Sequence, residues 1–192
     1  MGQPLLKRDH ETVGKLLDEL RAELRREADV KTIYEMLDNV WARLAVHIRA
    51  EHLCLFPALL EASRELSDGQ DKHAPSHAEV INAVERLRGD HDLFMRELGV
   101  GVNTLRGLLS DPERRDAKAE LEGVRRAVET VVTRLEEHNA LEEEQVYSWA
   151  QQLLPDEEAQ ARLAADLERE LTNLPPRFND RNSPASAPRP ER

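Results

Sequence analysis

The chain has 192 residues, of which 34% are charged and only 4% aromatic, and it carries a net charge of -11 at pH 7. That length suits one domain with a sizeable core. The acidic balance argues against nucleic acid or an anionic membrane as partner, because either requires a basic face.

No apolar run approaches the roughly 20 residues of a membrane span, and the single cysteine, Cys54, rules out an intrachain disulfide. The opening "MGQPLLKRDH" lacks the apolar stretch of a signal peptide, and Leu6 stands where a myristoylation motif has Ser or Thr. A cytoplasmic protein is expected.

Apolar residues spaced three and four apart predict helices along most of the chain. The first covers residues 5–28, with Leu6, His10, Val13, Leu17, Leu20 and Leu24 on its inner seam. The second follows a break at 28–31 and runs to about 63. Its seam is Ile33, Leu37, Val40, Leu44, His47, Glu51, Cys54 and Ala58. Pro57 is expected to kink it, since proline has no N–H and clashes with the preceding turn. Residues 67–76 are turn-rich and read as a loop.

Ser76, with Glu79 three residues on, forms a capping box that starts the third helix, whose seam is Val80, Val84, Leu87, His91, Phe94 and Leu98. Ser110, Asp111 and Pro112 mark the start of the fourth, which carries Val128, Val131, Leu135, His138, Glu142 and Trp149 on one face. A shorter fifth helix opens at Pro155 and reaches about Asn173. Residues 174–192 hold five of the ten prolines and are expected to form a disordered tail. The expected fold is all-α: an antiparallel up-and-down four-helix bundle with a short fifth helix over residues 1–173, followed by that tail.

The seams contain residues that a core helix ordinarily avoids. His47 and Glu51 take inner positions on the second helix, and His138 and Glu142 repeat the pair on the fourth, in "HIRAE" and "HNALE". The other two helices each place one histidine on the seam in a matching context, His10 in "RDHE" and His91 in "GDHD". The chain therefore divides into two halves of similar pattern. Residue counting brings His10, His47 and His91 to one depth. His138 lies about 26 residues into its helix, whereas His91 is only about 18 from the end of its own. Either the fourth helix overshoots the bundle, or residues 112–118 form a separate turn.

Burying four imidazoles and two carboxylates at one level costs several kcal/mol per ion unless they are paired or bind metal. No Lys or Arg lies on a seam to pair with them. Six mixed nitrogen and oxygen ligands are too many for one zinc and suit two iron or manganese ions bridged by the carboxylates.

The pattern H…HxxxE…H…HxxxE on four helices, with "LFP" at 55–57, resembles the hemerythrin-like, or HHE cation-binding, domain over about residues 5–150. The resemblance implies two Fe ions joined by an oxo or hydroxo bridge, held by His10, His47, Glu51, His91, His138 and Glu142, with Mn or Zn as substitutes. It also implies a small diatomic ligand or peroxide as partner. Two departures argue against reversible oxygen carriage. The oxygen-carrying members have HxxxH on the third helix, where this chain has Met95 four residues after His91. They close with HxxxxD on the fourth, where this chain has HxxxE.

The other candidates take plainer readings. His52, turned 100° from Glu51, reads as its partly exposed neighbour, and His73 and His77 flank Pro75 near the loop, too far along to share the site. Cys54 reads as a small core residue, and Tyr34 and Tyr147 fall off the ligand face by helical arithmetic. The favoured function is a diiron protein that binds or reduces dioxygen, peroxide or nitric oxide in sensing or stress defence. Iron storage, donation or ferroxidase chemistry is the alternative. Ferritin-like sites, however, place the acid three residues before the histidine, an order absent here. A metal-free interaction module is the third reading.

Overall fold

Short polar side chains hold the free N–H groups at the helix starts. Asp29 accepts from Thr32 N and Asp116 from Ala119 N. Ser76 and Glu79 close the expected capping box, and Asp156 accepts from Glu158 N. The computed structural model describes residues 3–26, 28–66, 74–111, 116–154 and 156–175. Every element among them is helical: α1 (Gln3–Arg25), α2 (Val30–Ala50), α3 (Phe56–Leu66), α4 (His77–Ser110), α5 (Ala117–Leu141), α6 (Tyr147–Leu153) and α7 (Glu157–Thr172).

Two π-helical turns, Glu51–Leu55 and Glu142–Val146, join α2 to α3 and α5 to α6. Each therefore lies within one continuous rod. Among the described residues no helix is long and apolar enough to cross a membrane. The expectations for His73 and for residues 176–192 lie outside the described residues.

The rods form a closed ring in which α1 packs on α2 and α5, α2 on α4, and α4 on α5. Helix α7 lies across α2 and the first π turn, where the Arg49 guanidinium donates to the Glu170 carboxylate and to the carbonyls of Glu170 and Asn173. α2 and α4 approach closely at Gly101, where a Cβ would come within 2.9 Å of Leu37 Cδ2.

The fourth helix starts later than the sequence suggests. The Ser110 hydroxyl donates to Arg106 O within its own helix, and Asp111 caps the end of α4. The start at Ala117 leaves 21 residues before His138, against 19 between His91 and the end of α4. The depth mismatch therefore disappears.

The core has two apolar layers. One contains Val13, Leu17, Leu37, Leu44, Phe94, Leu98, Val131 and Leu135. The other contains Leu6, Leu55, Phe56, Leu59, Val84, Leu87, Val146 and Leu167. A fully buried Leu or Phe contributes about 1.5–3 kcal/mol, so both layers are strongly held. The chain passes from one layer to the other at His10, His47, His91 and His138, and the polar residues occupy the slab between.

The π turns reset the seams. A π turn inserts one residue into the helical repeat, so the buried face beyond Glu51 continues at Leu55, Phe56 and Leu59 instead of Cys54 and Ala58. Beyond Glu142 it continues at Val146, Tyr147 and Leu153, not at Trp149. Pro57 is the second residue after the first π turn. The second turn has the same form with no proline near it, so proline is not required for the irregularity.

Candidate metal centre

All six seam residues are buried, His10 being the most exposed at 7% and both glutamates at 0%. They meet at one place, as two sets that share the glutamates. His10, His47, Glu51 and Glu142 form one set, and Glu51, His91, His138 and Glu142 the other, with ligand atoms in each within 4.8 Å of one another. Each glutamate reaches both sets. Glu51 places Oε1 3.4 Å from His47 Nε2 and Oε2 3.2 Å from His91 Nε2. Glu142 places Oε2 3.2 Å from His10 Nε2 and Oε1 3.2 Å from His138 Nε2.

The four imidazoles present Nε2 inward and are held from behind at Nδ1. His47 Nδ1–H donates to Asp9 Oδ2 at 3.0 Å and His138 Nδ1–H to Asp90 Oδ2 at 3.4 Å. Both aspartates are buried and are themselves gripped by arginines, Asp9 by Arg43 and Asp90 by Arg134 Nε at 2.8 Å. His10 Nδ1–H donates to Glu143 Oε1 at 3.1 Å, and Lys7 stands behind that carboxylate. His91 Nδ1 lies 2.9 Å from His52 Nε2. An Nδ1 that donates outward leaves an Nε2 lone pair pointing in.

The interior is consequently a cluster of acceptors. The Nε2 atoms of His10 and His47 are 3.2 Å apart, and those of His91 and His138 are 3.1 Å apart. Glu51 Oε2 and Glu142 Oε1 are buried, and no donor reaches them in hydrogen-bonding geometry. Acceptors facing acceptors away from water demand positive charge. Protons respond to the same demand. Burial alone would push the His47 pKa down, but the Glu51 and Asp9 carboxylates hold it well above its ordinary value. His138 is raised in the same way against burial, chiefly by Glu142. Burial would raise Glu51, yet His47 and His91 hold it well below the usual carboxylate range. The donor set and its orphaned oxygens fit two cations with the glutamates between them.

Tyr147 corrects an expectation. Uniform α-helical arithmetic turns it off the ligand face, but the π turn rotates it inward. Its hydroxyl lies 3.0 Å from His10 Nε2, 3.3 Å from Glu142 Oε2 and 3.4 Å from Glu51 Oε1. Burial, followed by the two carboxylates, pushes its pKa well above the ordinary phenol value, so it keeps its proton. Phe56 occupies the corresponding place in the other half, five residues after Glu51, and stacks on His91 with centroids 5.9 Å apart.

His52 is partly exposed, as expected, and in addition backs His91 through its Nε2. The residue one turn beyond His91 that meets a site ring is Phe94, edge-on to His138 at 5.2 Å, while Met95 is half-buried against the apolar layer. Tyr34 binds Arg106 elsewhere, and His77 binds Ser63 at the start of α4. The Cys54 thiol is half-buried, and burial raises its pKa.

The acidic run 142–144 reads in the sequence as a solvated face with only Glu142 turned inward, but Glu143 also turns in, to His10. Asp9, Asp90, Arg43 and Arg134 were not singled out from sequence, although a signal for them was present. "DH" occurs in both halves, and R-L-x-x-H-x-x-x-E occurs as "RLAVHIRAE" at 43–51 and "RLEEHNALE" at 134–142.

A family model described as the hemerythrin HHE cation binding domain matches residues 1–150. No curated protein and no solved structure matches the chain.

Proposed function

The chain belongs to the hemerythrin HHE cation binding domain family, and on that premise we propose that it holds two iron ions and binds or reduces a small oxidant: dioxygen, peroxide or nitric oxide. The observation that carries the reading is the reach of each glutamate into both histidine pairs. In this reading His10 and His47 would hold one ion and His91 and His138 the other, with Glu51 and Glu142 in reach of both. A mixed imidazole and carboxylate set suits iron.

Two irons held there would supply redox and Lewis-acid chemistry, two electrons in all, and two electrons with two protons reduce peroxide to two waters. The protein's own part is positioning, proton supply and exclusion of water. Asp9, Asp90, Glu143 and His52 fix the ring orientations, and Tyr147 holds a proton at Oη beside His10 and both glutamates. Phe56 and Phe94, both fully buried, wall the His91 side. A sensing or stress-defence role follows from such chemistry.

Elemental analysis of the freshly purified chain should give about two irons, and stopped-flow mixing of the reduced protein with peroxide, nitric oxide or dioxygen should give a fast absorbance change. One zinc per chain, no metal, or inertness to all three ligands would overturn the proposal.

A further inference from the structure

The two halves share their ligands and their aspartate–arginine supports, but differ at the position directly after each glutamate. Glu143 follows Glu142 and sets a carboxylate 3.1 Å from His10 Nδ1. His52 follows Glu51 and sets an imidazole 2.9 Å from His91 Nδ1. The His10–His47 pair is thus backed by two carboxylates, Glu143 and Asp9, whereas the His91–His138 pair is backed by one, Asp90.

Positive charge accompanies both pairs. Lys7 stands 3.1 Å behind Glu143, but its side chain is 59% exposed and well solvated. On the other side, Arg88 lies over the Phe56 ring at 5.9 Å and acts electrostatically on His52. An imidazole that donates to a carboxylate is a more basic ligand, and losing such a partner typically costs about 10–100-fold in metal affinity. The bridging glutamates serve both positions, so they do not cancel this difference.

We infer that the position between His10 and His47 takes its ion first and holds it about 10–100-fold more tightly than the position between His91 and His138. Glu143 and His52 are the positioning residues that set the order. This rests on the two-metal reading above.

The test titrates the metal-free full-length chain with Zn2+, which has no redox chemistry, against a chromophoric chelator, and follows the histidine side chains by NMR. At one equivalent the His10 and His47 ring signals should move while those of His91 and His138 stay. Glu143→Gln should weaken the first step by about 10–100-fold, and His52→Glu should tighten the second by a similar factor. Both positions are partly exposed and circular dichroism checks the fold of each variant, so a fold defect is separable from a loss of affinity.

The inference fails if one equivalent divides evenly between the pairs or moves His91 and His138 first. It also fails if both ions enter in a single step, or if neither variant changes its own step. In all of these cases the two-metal reading survives. A chain that takes up no metal overturns both.

Discussion

Tyr147 and Phe56 occupy the same place in the two halves of the centre, each five residues after a buried glutamate, and only Tyr147 brings a hydroxyl. The backbone makes this equivalence. Tyr147 N–H donates to Glu142 O, and Phe56 N–H to Glu51 O, closing the π turn in both rods. One aromatic ring stacks on His10 and the other on His91.

Tyr147→Phe should therefore keep the fold, because Phe is already accommodated at the matching site. It removes the proton held beside His10, and a positioned proton donor typically contributes about 10²–10⁴-fold to a rate. The reaction of the reduced, metal-loaded protein with peroxide should slow by roughly 10²-fold while metal content stays near two per chain. Stopped-flow absorbance with parallel metal analysis measures both. An unchanged rate would remove Tyr147 from the chemistry.

His47→Ala and His138→Ala should each lose most of the bound metal, because each removes one of two imidazoles from its set. His77→Ala gives up a contact with Ser63 at the head of α4, away from the six residues, and should retain the full complement. Metal content after identical purification decides this, and equal loss in all three variants would mean the site is elsewhere.

Chelation should destabilise the fold. A ligand at a thousand times its Kd adds about 4 kcal/mol, and a domain of this size moves about 2–4 °C in Tm per kcal/mol. The metal-free protein should melt roughly 10 °C or more below the loaded one. Calorimetry of both forms measures the difference, and equal melting temperatures would contradict coupling of metal to fold.

The metal-free form should also depend on pH in a definite direction. His47 and His138 have folded pKa values raised above the ordinary imidazole value of about 6.5. Their stabilisation is complete below that value and disappears as pH rises through the raised ones. Glu51 is held low, so its contribution is present above the ordinary carboxylate range and is lost on acidification. The metal-free Tm should consequently fall as pH goes from about 6.5 towards 9, and the loaded protein should fall less because metal replaces those protons. Zn2+ affinity should rise over the same interval. Thermal melts across that range test this, and a metal-free Tm that rose with pH would refute it.

Much of this was legible in the chain because a helix obeys a local rule. Period and capping placed α1, the rod of α2 and α3, and the start of α4 to within a few residues, and a histidine or glutamate on an apolar stripe stands out without knowledge of its neighbours. The start of α5 was not legible, because Ser110 could serve its own helix or the next. A hydrogen bond to Arg106 O settles that choice in the folded chain.

By itself, then, the sequence determined the helical class and the six buried residues of the polar layer, since both follow from spacing along a single helix. Only the tertiary structure decided what stands behind those residues and where the chain departs from the α-helical repeat. Asp9 reaches His47 across 38 positions and Asp90 reaches His138 across 48, contacts made by helices lying side by side that no local spacing encodes. Tyr147 faces the centre because Glu142 begins a π turn, and one inserted residue rotates everything after it by about 100°. That turn leaves no mark in the apolar pattern until the packing on both sides of it is known.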